Sequence, residues 1–263
     1  MHFSACDWFH GSWYENIESA AAHGFHAMEQ LGWNHLDQDL AADTLKRFNI
    51  KSTAIVIQSH DEEQMKLIGW GHGMVWEDAR EAFLRSFRES CAAAVKMGVP
   101  NIIATTGYSR EDVTRERQTE IITETLRQMA PIAEDHGVTI VLEPLNCRDN
   151  PNFSISTSAD AFAIVDEIAS PALLVLYDVY HQQITEGDLI PTITNNISKI
   201  GHFHISDTPG RCQPGTGEIN FKNVFAAIKK AGYDRYLAFE CGSTLPVDDL
   251  CREMHELIDE FEG

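Results

Sequence analysis

The chain has 263 residues, of which 43% are hydrophobic and 23% charged, and this ordinary globular composition excludes fibrous and intrinsically disordered architectures. Its formal net charge of −20 disfavours the phosphate backbone of nucleic acids and anionic membrane surfaces as partners. No apolar run approaches the roughly 18 residues that span a bilayer, and the N-terminal segment lacks the pattern of a secretion signal. We therefore expect a soluble, cytoplasmic protein.

The six cysteines are scattered along the chain without close pairing. They are Cys6, Cys91, Cys147, Cys212, Cys241 and Cys251. No C-x-x-C or zinc-ribbon spacing occurs, so the sequence predicts neither a thiolate metal site nor a redox motif. Reduced thiols agree with the expected cytoplasmic location.

Short apolar runs alternate with longer amphipathic stretches along the whole chain. The apolar runs predict strands at 2–6, 27–32, 52–58, 101–106, 139–145, 173–178, 200–205 and 237–240. Apolar residues at three- and four-residue spacing predict helices between them, most clearly over 76–96, 115–136 and 247–261. Several helices end with a glycine after the last periodic residue, namely Gly24, Gly98, Gly137 and Gly232.

The repeated strand–helix pattern predicts a (β/α)₈ TIM barrel, a fold of typically about 250 residues. A doubly wound open sheet is the alternative, but it usually shows a glycine-rich nucleotide turn after the first strand, where this chain has Asp7 to His10. No linker divides the sequence, so residues 1–263 are expected to form one TIM-barrel domain. The longest predicted irregular stretch, 59–75, is either a lid or a surface loop.

Polar side chains end four consecutive predicted strands in the second half of the chain. They are Glu143, Asp178, the pair His202 and His204, and Glu240. Because the carboxyl ends of barrel strands meet at one mouth, these groups should lie together, and buried carboxylates then need a compensating cation. Oxygen-rich ligands with one imidazole suit Mn²⁺, Mg²⁺ or Co²⁺. The predicted metal ligands are Glu143, Asp178, His204 and Glu240.

His202 and His204 are two residues apart on one predicted strand and therefore point to the same face. One imidazole can reach the mouth while the other lies a layer deeper in the barrel. His204 is favoured as the ligand because it is nearer the strand end, and His202 is the alternative.

Longer sequence motifs around these residues resemble those of a known family. The motifs are Glu143-Pro144-Leu145-Asn146 with Arg148-Asp149, the run from Tyr177 to Gln183 with Glu186-Gly187-Asp188-Leu189, the run from Gly201 to Asp207, Pro209-Gly210-Arg211, and the run from Gly215 to Asn220. Together they resemble the hydroxypyruvate isomerase branch of the xylose-isomerase-like TIM barrels. The resemblance covers the first half of the chain only through architecture. Members of that branch often carry glutamine where His204 stands, and histidine there resembles the ketose 3-epimerases.

The resemblance implies metal-dependent isomerisation through a cis-enediol. It implies that Glu143 and Glu240 both bind the metal and move protons, and that His181 and Arg211 contact the substrate. The chemistry agrees, because removing a proton beside a carbonyl needs a base, and the resulting enediolate needs a cation.

Several polar residues near the expected mouth have two interpretations. His181 either orients a carbonyl oxygen or makes a structural hydrogen bond. Arg211 either holds a substrate carboxylate by a planar two-point contact or forms a surface ion pair, and Arg148 is a weaker candidate for the same task. Glu218 either orients a ligand or caps the helix that begins near Phe221, and capping is favoured.

In the first half of the chain, four polar or aromatic residues lie near predicted strand ends without an assigned role. They are His10, Glu29, Trp33 and His60.

The leading hypothesis is an aldose–ketose type isomerase of a small hydroxy-oxo acid, either hydroxypyruvate and tartronate semialdehyde or a longer 2-oxo-tetronate. A ketose 3-epimerase acting on a neutral sugar is the alternative. A DNA-repair endonuclease is disfavoured by the net charge of −20, and a non-catalytic binding barrel by the full set of candidate ligands. The expected partner is thus a small-molecule substrate, with no nucleic acid and no membrane. Barrels of this type commonly form homo-oligomers, although the sequence shows no interface signal.

Overall fold

The computed structural model describes residues 1–262. The strands are β1 (His2–Ser4), β2 (Ala27–Met28), β3 (Lys51–Ser52), β4 (Ala54–Val56), β5 (Asn101–Ala104), β6 (Thr139–Leu142), β7 (Leu173–Asp178), β8 (Ile200–His204) and β9 (Tyr236–Ala238). The α-helices are α1 (Trp13–Ala22), α2 (Gln38–Phe48), α3 (Glu62–Ile68), α4 (Arg80–Met97), α5 (Arg115–His136), α6 (Ser158–Ile168), α7 (Val179–Thr185), α8 (Leu189–Asn196), α9 (Phe221–Lys230) and α10 (Val247–Glu262).

The strands form the predicted closed parallel barrel. Seven of them pair in the order β1-β9-β8-β7-β6-β5-β4, and β2 pairs with β3. The two sheets join on both sides of β2, because Ala5 pairs with Met28 and the backbone N–H of Val56 donates to the carbonyl of Leu31 at 3.0 Å. Since β3 and β4 are two halves of one predicted strand, the barrel has the eight positions of a TIM barrel.

The helices follow the predicted periodicity. The α5 helix has the predicted bounds, whereas α4 begins at Arg80 after a 3₁₀ turn over Glu77–Ala79. Both helices end at a glycine in the left-handed conformation, Gly98 with φ +70° and Gly137 with φ +67°, where a side chain would be strained. None of the helices among the described residues is long and apolar enough to cross a bilayer.

The predicted irregular stretch 59–75 is wrong in its middle, where α3 forms. Asp61 caps this helix, because its carboxylate accepts hydrogen bonds from the backbone N–H groups of Glu63 at 2.8 Å and Gln64 at 3.2 Å. After α3 the backbone returns against the loop that follows β5, and the N–H of Met74 donates to the carbonyl of Thr106 at 2.9 Å. The segment is therefore attached to its neighbour rather than being a free loop.

Part of the barrel interior below the mouth is apolar. Ala54, Ile103, Val141 and Leu176 pack together there, from four neighbouring strands. A larger apolar layer lies between the strands and the surrounding helices. This arrangement leaves the carboxyl ends of the strands as the place where polar side chains gather.

Candidate metal centre

Four side chains meet at the mouth from the neighbouring strands β6, β7, β8 and β9. Glu143 directly follows β6, Asp178 ends β7, His204 ends β8, and Glu240 lies just beyond β9. One ligand atom from each side chain lies within 4.8 Å of the others. These are the four predicted metal ligands, and we call them the four-residue cluster.

Asp178 belongs to both a helix cap and the cluster. Its Oδ1 atom caps α7 by accepting hydrogen bonds from the backbone N–H groups of Tyr180 at 2.8 Å and His181 at 3.3 Å. Its Oδ2 atom is buried and makes no hydrogen bond within the part of the chain that the structure describes. The cap thus fixes the carboxylate while leaving one oxygen free for a ligand.

The two ring nitrogens of His204 face different partners. The Nε2 atom lies 2.8 Å from Oε1 of Glu29. The Nδ1 atom lies 3.3 Å from Oε1 of Glu143 and 3.0 Å from Oε2 of Glu240, yet it is buried and makes no hydrogen bond to any described residue. Its position is that of a ligand atom at the centre of the cluster.

The electrostatics of the cluster are those of a cation site. Burial by itself lowers the pKa of His204, but the charges of Glu240 and Glu29 more than offset burial and hold that pKa well above its usual value. Burial raises the pKa of Glu240, whereas His204 and Arg211 lower it, and the net pKa is below that of an ordinary glutamate. The ionised carboxylate of Glu240 is therefore held beside the positive charges of His204 and Arg211.

The donor set fits a divalent cation. Carboxylate oxygens with one imidazole nitrogen are ligands for hard to intermediate divalent ions. Two of the buried donor atoms, Asp178 Oδ2 and His204 Nδ1, make no hydrogen bond to any residue that the structure describes, so an ion would displace only a proton of His204. Buried polar atoms normally have partners, and a bound cation would supply one here.

His202, the alternative ligand, lies outside the four-residue cluster. Its Nε2 atom is 2.7 Å from Oε2 of Glu29, and the side chain is fully buried. His202 and His204 point to the same side of β8, as the two-residue spacing predicts, with their ring centroids 5.3 Å apart.

Arg211 reaches the cluster from the loop after β8. Its Nη2 atom lies 2.5 Å from Oε2 of Glu240 and 3.5 Å from Oδ2 of Asp178. The residue has a left-handed φ of +53°, and its carbonyl accepts a hydrogen bond from the N–H of Gly242 at 2.7 Å, which fixes this backbone conformation. The ion-pair interpretation of Arg211 therefore describes the structure, but its partners are cluster carboxylates rather than surface groups.

His181 lies beside the cluster with a defined tautomer in its neutral form. The backbone N–H of Asn146 donates to Nδ1 at 3.2 Å, and a backbone N–H can only donate, so the ring proton is on Nε2. That Nε2 atom lies 3.5 Å from Oδ2 of Asp178. The structural hydrogen bond and the orienting role are thus compatible, because each uses a different ring nitrogen.

Two other candidates take structural contacts. Arg148 is half exposed and donates to the phenol oxygen of Tyr180 at 3.1 Å. The favoured capping interpretation of Glu218 is wrong: Asn220 caps α9, because its side chain accepts from the N–H of Asn223 at 3.1 Å. Glu218 instead accepts a hydrogen bond from Gln183 at 3.2 Å.

Glu29 is a candidate functional residue for which no role is predicted from the sequence. It follows β2 across the barrel from β8 and contacts both histidines of that strand. The available signal is a carboxylate within the predicted strand 27–32. The other unassigned residues make local contacts: the indole of Trp33 donates to the carbonyl of Val56 at 3.0 Å, His60 packs edge-on against Trp33, and His10 is exposed.

The family model described as "Xylose isomerase-like TIM barrel" matches residues 17–261. The chain belongs to this family. It is 32% identical over 158 residues to hydroxypyruvate isomerase of Escherichia coli, a match that covers 59% of this chain and 61% of that protein. It is also 29% identical to 2-oxo-tetronate isomerase of Cupriavidus necator, over 86% of this chain and 85% of that protein. The predicted resemblance to hydroxypyruvate isomerases, and with it the prediction of an isomerase-like enzyme, is confirmed.

Solved structures share the fold over almost the whole chain. A protein described as "AP endonuclease, family 2" from Brucella melitensis superposes with a TM-score of 0.85 and 26% identity, covering 94% of this chain and 95% of that one. D-psicose 3-epimerase from Clostridium cellulolyticum H10 superposes with a TM-score of 0.80 and 20% identity, covering 99% and 98%. The predicted TIM-barrel fold class is confirmed by these comparisons.

Proposed function

We propose that the chain is a divalent-metal-dependent isomerase of a small hydroxy-oxo acid, acting through a cis-enediol. Hydroxypyruvate and a 2-oxo-tetronate are the proposed substrates, and the proposed metal ligands are Glu143, Asp178, His204 and Glu240. Mn²⁺, Mg²⁺ and Co²⁺ are the proposed ions, because the site offers mainly oxygen ligands. The observation that carries the proposal is the convergence of two buried donor atoms on two further carboxylates: Asp178 Oδ2 and His204 Nδ1 make no hydrogen bond within the described part of the chain.

The two glutamates of the cluster are the proposed proton carriers. Glu143 and Glu240 enter from β6 and β9, two strands that are not adjacent. One carboxylate takes the proton from the hydroxyl-bearing carbon and releases it to water, and the other takes up a proton from water and gives it to the former carbonyl carbon, so both carboxylates end the turnover ionised. The proton of the hydroxyl group moves to the former carbonyl oxygen. A bound divalent ion would stabilise the negative charge that develops on these oxygens.

Two neighbouring residues are proposed to position the substrate. His181 presents Nε2–H at the mouth because Asn146 occupies its Nδ1 atom, so it can donate to a substrate oxygen without acting as a base. Arg211 is the cation at the cluster, and a carboxylate on the substrate would be held by its planar guanidinium. The acid group of the proposed substrates thus has a specific partner.

A ketose 3-epimerase is the second candidate. It is supported by histidine at position 204, which resembles that group. A 3-epimerase also removes a proton beside a carbonyl, but it returns a proton to the other face of the same carbon of a neutral sugar, and it has no need for Arg211. Nucleic acid remains a disfavoured substrate, because the net charge of −20 repels a phosphate backbone.

Proton NMR in D₂O separates these candidates. The metal-reconstituted protein is incubated with hydroxypyruvate, with a 2-oxo-tetronate and with fructose, beside a chelated sample. We expect metal-dependent conversion and deuterium uptake on an acid, and none on fructose. If deuterium exchange occurs only with fructose, at carbon three, the protein is an epimerase. If neither conversion nor deuterium uptake occurs with any of the three substrates while metal is bound, the proposed reaction is refuted.

A further inference from the structure

The carboxylate of Glu29 is shared by two buried histidines. Its Oε1 atom lies 2.8 Å from Nε2 of His204, and its Oε2 atom lies 2.7 Å from Nε2 of His202. The hydroxyl of Thr53 donates to Oε2 at 3.0 Å. Glu29 itself is fully buried, so both oxygens are occupied by protein donors rather than by solvent.

This arrangement orients the imidazole of His204. An ionised carboxylate only accepts hydrogen bonds, so each histidine must present a protonated Nε2 to Glu29. When His204 is neutral, its lone pair is then on Nδ1, the atom that lies among the cluster carboxylates. A carboxylate behind a histidine ligand fixes its ring orientation and raises its basicity.

We propose that Glu29 is a positioning residue, which holds His204 with Nδ1 directed into the four-residue cluster and uses His202 as a second anchor. The inference rests on the proposed metal site and adds the residue that prepares its only imidazole ligand. Both carboxylate oxygens of Glu29 are engaged by the two histidines and by Thr53, so we assign its effect on the site to the orientation of His204.

His202 gives the carboxylate its fixed position. Glu29 directly follows β2, whose paired segment is only two residues long, so the strand itself constrains the side chain weakly. The buried His202 binds the oxygen that His204 leaves free and so prevents rotation of the carboxylate. One acceptor oxygen would be insufficient for both rings, which explains a carboxylate rather than an amide at position 29.

A second metal site at Glu29, His202 and His204 is the competing interpretation, since these residues also lie close together. The distances of 2.7 and 2.8 Å are those of charge-assisted hydrogen bonds. Nε2 of His204 would also have to give up its proton while Nδ1 serves the four-residue cluster. We therefore assign one ion to this region and a proton to Nε2.

The test is a Mn²⁺ titration of the whole chain by competition with a chelator. Three proteins are compared: the unchanged protein, Glu29→Gln and the matched control Glu89→Gln. Glu89 is a half-buried glutamate that accepts hydrogen bonds from the hydroxyl of Ser59 at 2.9 Å and the N–H of His60 at 3.0 Å. The control therefore makes the same charge change at a hydrogen-bonded carboxylate outside the cluster. Thermal unfolding of the metal-free proteins reports their folding separately.

The expected result is one Mn²⁺ per chain in all three proteins. Affinity should fall about 10- to 100-fold in Glu29→Gln and change less than about 2-fold in Glu89→Gln. Unchanged affinity in Glu29→Gln would overturn the positioning role. Two ions in the unchanged protein and one in Glu29→Gln would overturn it as well, because Glu29 would then be a ligand. Absence of binding in the unchanged protein would instead refute the proposed metal site.

A measurement on the unchanged protein keeps the inference testable if Glu29→Gln does not fold. Nitrogen-15 NMR of the histidine side chains, with diamagnetic Mg²⁺ or Zn²⁺ bound, shows which ring nitrogen carries the proton. We expect His204 to carry it on Nε2. A metal-bound His204 protonated on Nδ1 would overturn the proposal.

Discussion

The guanidinium of Arg211 lies 2.5 Å from the carboxylate of Glu240, at the edge of the four-residue cluster. The arginine expected to bind substrate is therefore paired with a predicted metal ligand, and it also lies 3.5 Å from Asp178. A divalent ion at these carboxylates would compete with the guanidinium for their charge. Metal binding would then free Arg211 to bind an anionic group on the substrate.

Arg211→Gln should separate metal binding from substrate binding. Removal of the competing positive charge should tighten Mn²⁺ binding about 3- to 10-fold. Loss of a charge-assisted contact to the substrate acid, about 2–3 kcal/mol, should lower kcat/KM for hydroxypyruvate about 30- to 160-fold. Chelator competition and steady-state kinetics measure the two effects. Weaker metal binding in this variant would contradict the competition.

Arg148→Gln is the matched control for that substitution. Arg148 is half exposed and contacts Asp149 and Tyr180 rather than the cluster. We expect a change of less than about 3-fold in kcat/KM, as for most exposed ion pairs. If Arg148→Gln were the more damaging of the two changes, the substrate acid would bind at Arg148.

Glu143→Gln and Glu240→Gln test the two proton carriers. Each substitution keeps the size of the side chain and removes its ability to accept a proton. At saturating Mn²⁺, kcat should fall about 10²- to 10⁴-fold in each variant. Deuterium exchange into recovered substrate, followed by proton NMR, shows which step is lost. Exchange at the unchanged rate in both variants would exclude these glutamates as the bases.

His181→Asn and His181→Gln test the donor at the mouth. The asparagine oxygen can replace Nδ1 as the acceptor for the N–H of Asn146, but it leaves no donor in the place of Nε2–H. The glutamine amide can instead place a donor near the position of Nε2. We expect kcat/KM to fall about 10²-fold in His181→Asn, less in His181→Gln, with Mn²⁺ affinity within about 3-fold in both. A loss of Mn²⁺ affinity well beyond about 3-fold in both variants would indicate that His181 is a metal ligand.

The loops that follow β4 and β5 pack so closely at Gly73 that there is no space for a side chain. Gly73 has φ +77°, and a Cβ atom there would lie 2.6 Å from the carbonyl oxygen of Thr106. Gly137 has a similar φ of +67° but open space around it. Gly73→Ala should lower the free energy of unfolding by about 3 kcal/mol and Gly137→Ala by about 1 kcal/mol. Equal values in urea unfolding would show that the loop yields to the methyl group.

The sequence predicts the four-residue cluster because of a simple property of parallel barrels. Glu143, Asp178, His204 and Glu240 each follow an apolar strand, and the strands are consecutive, so their ends must be neighbours. The alternation along β8 likewise predicts that His202 and His204 share one face. These features need only the period of the strand and the order of the elements.

The contacts of Glu29, Arg211 and α3 depend on information that the sequence pattern does not carry. Glu29 meets β8 only because the barrel closes, which brings residues 173 and 175 positions apart into contact. The inward direction of Arg211 depends on a left-handed backbone in a loop. The α3 helix has seven residues, too few for a clear periodicity, and it depends on its cap at Asp61 and on the buried Ile68.

The most direct test of the four-residue cluster as a metal site compares Mn²⁺ binding by the unchanged protein and by Asp178→Asn. Electron paramagnetic resonance of free Mn²⁺ measures this binding. The substitution keeps an oxygen to cap α7 but can place an amide group in the cluster instead of Oδ2. We expect one ion per chain in the unchanged protein and at least about 100-fold weaker binding in Asp178→Asn. Equal binding by the two proteins, or none by the unchanged protein, would contradict the four-residue cluster as a metal site.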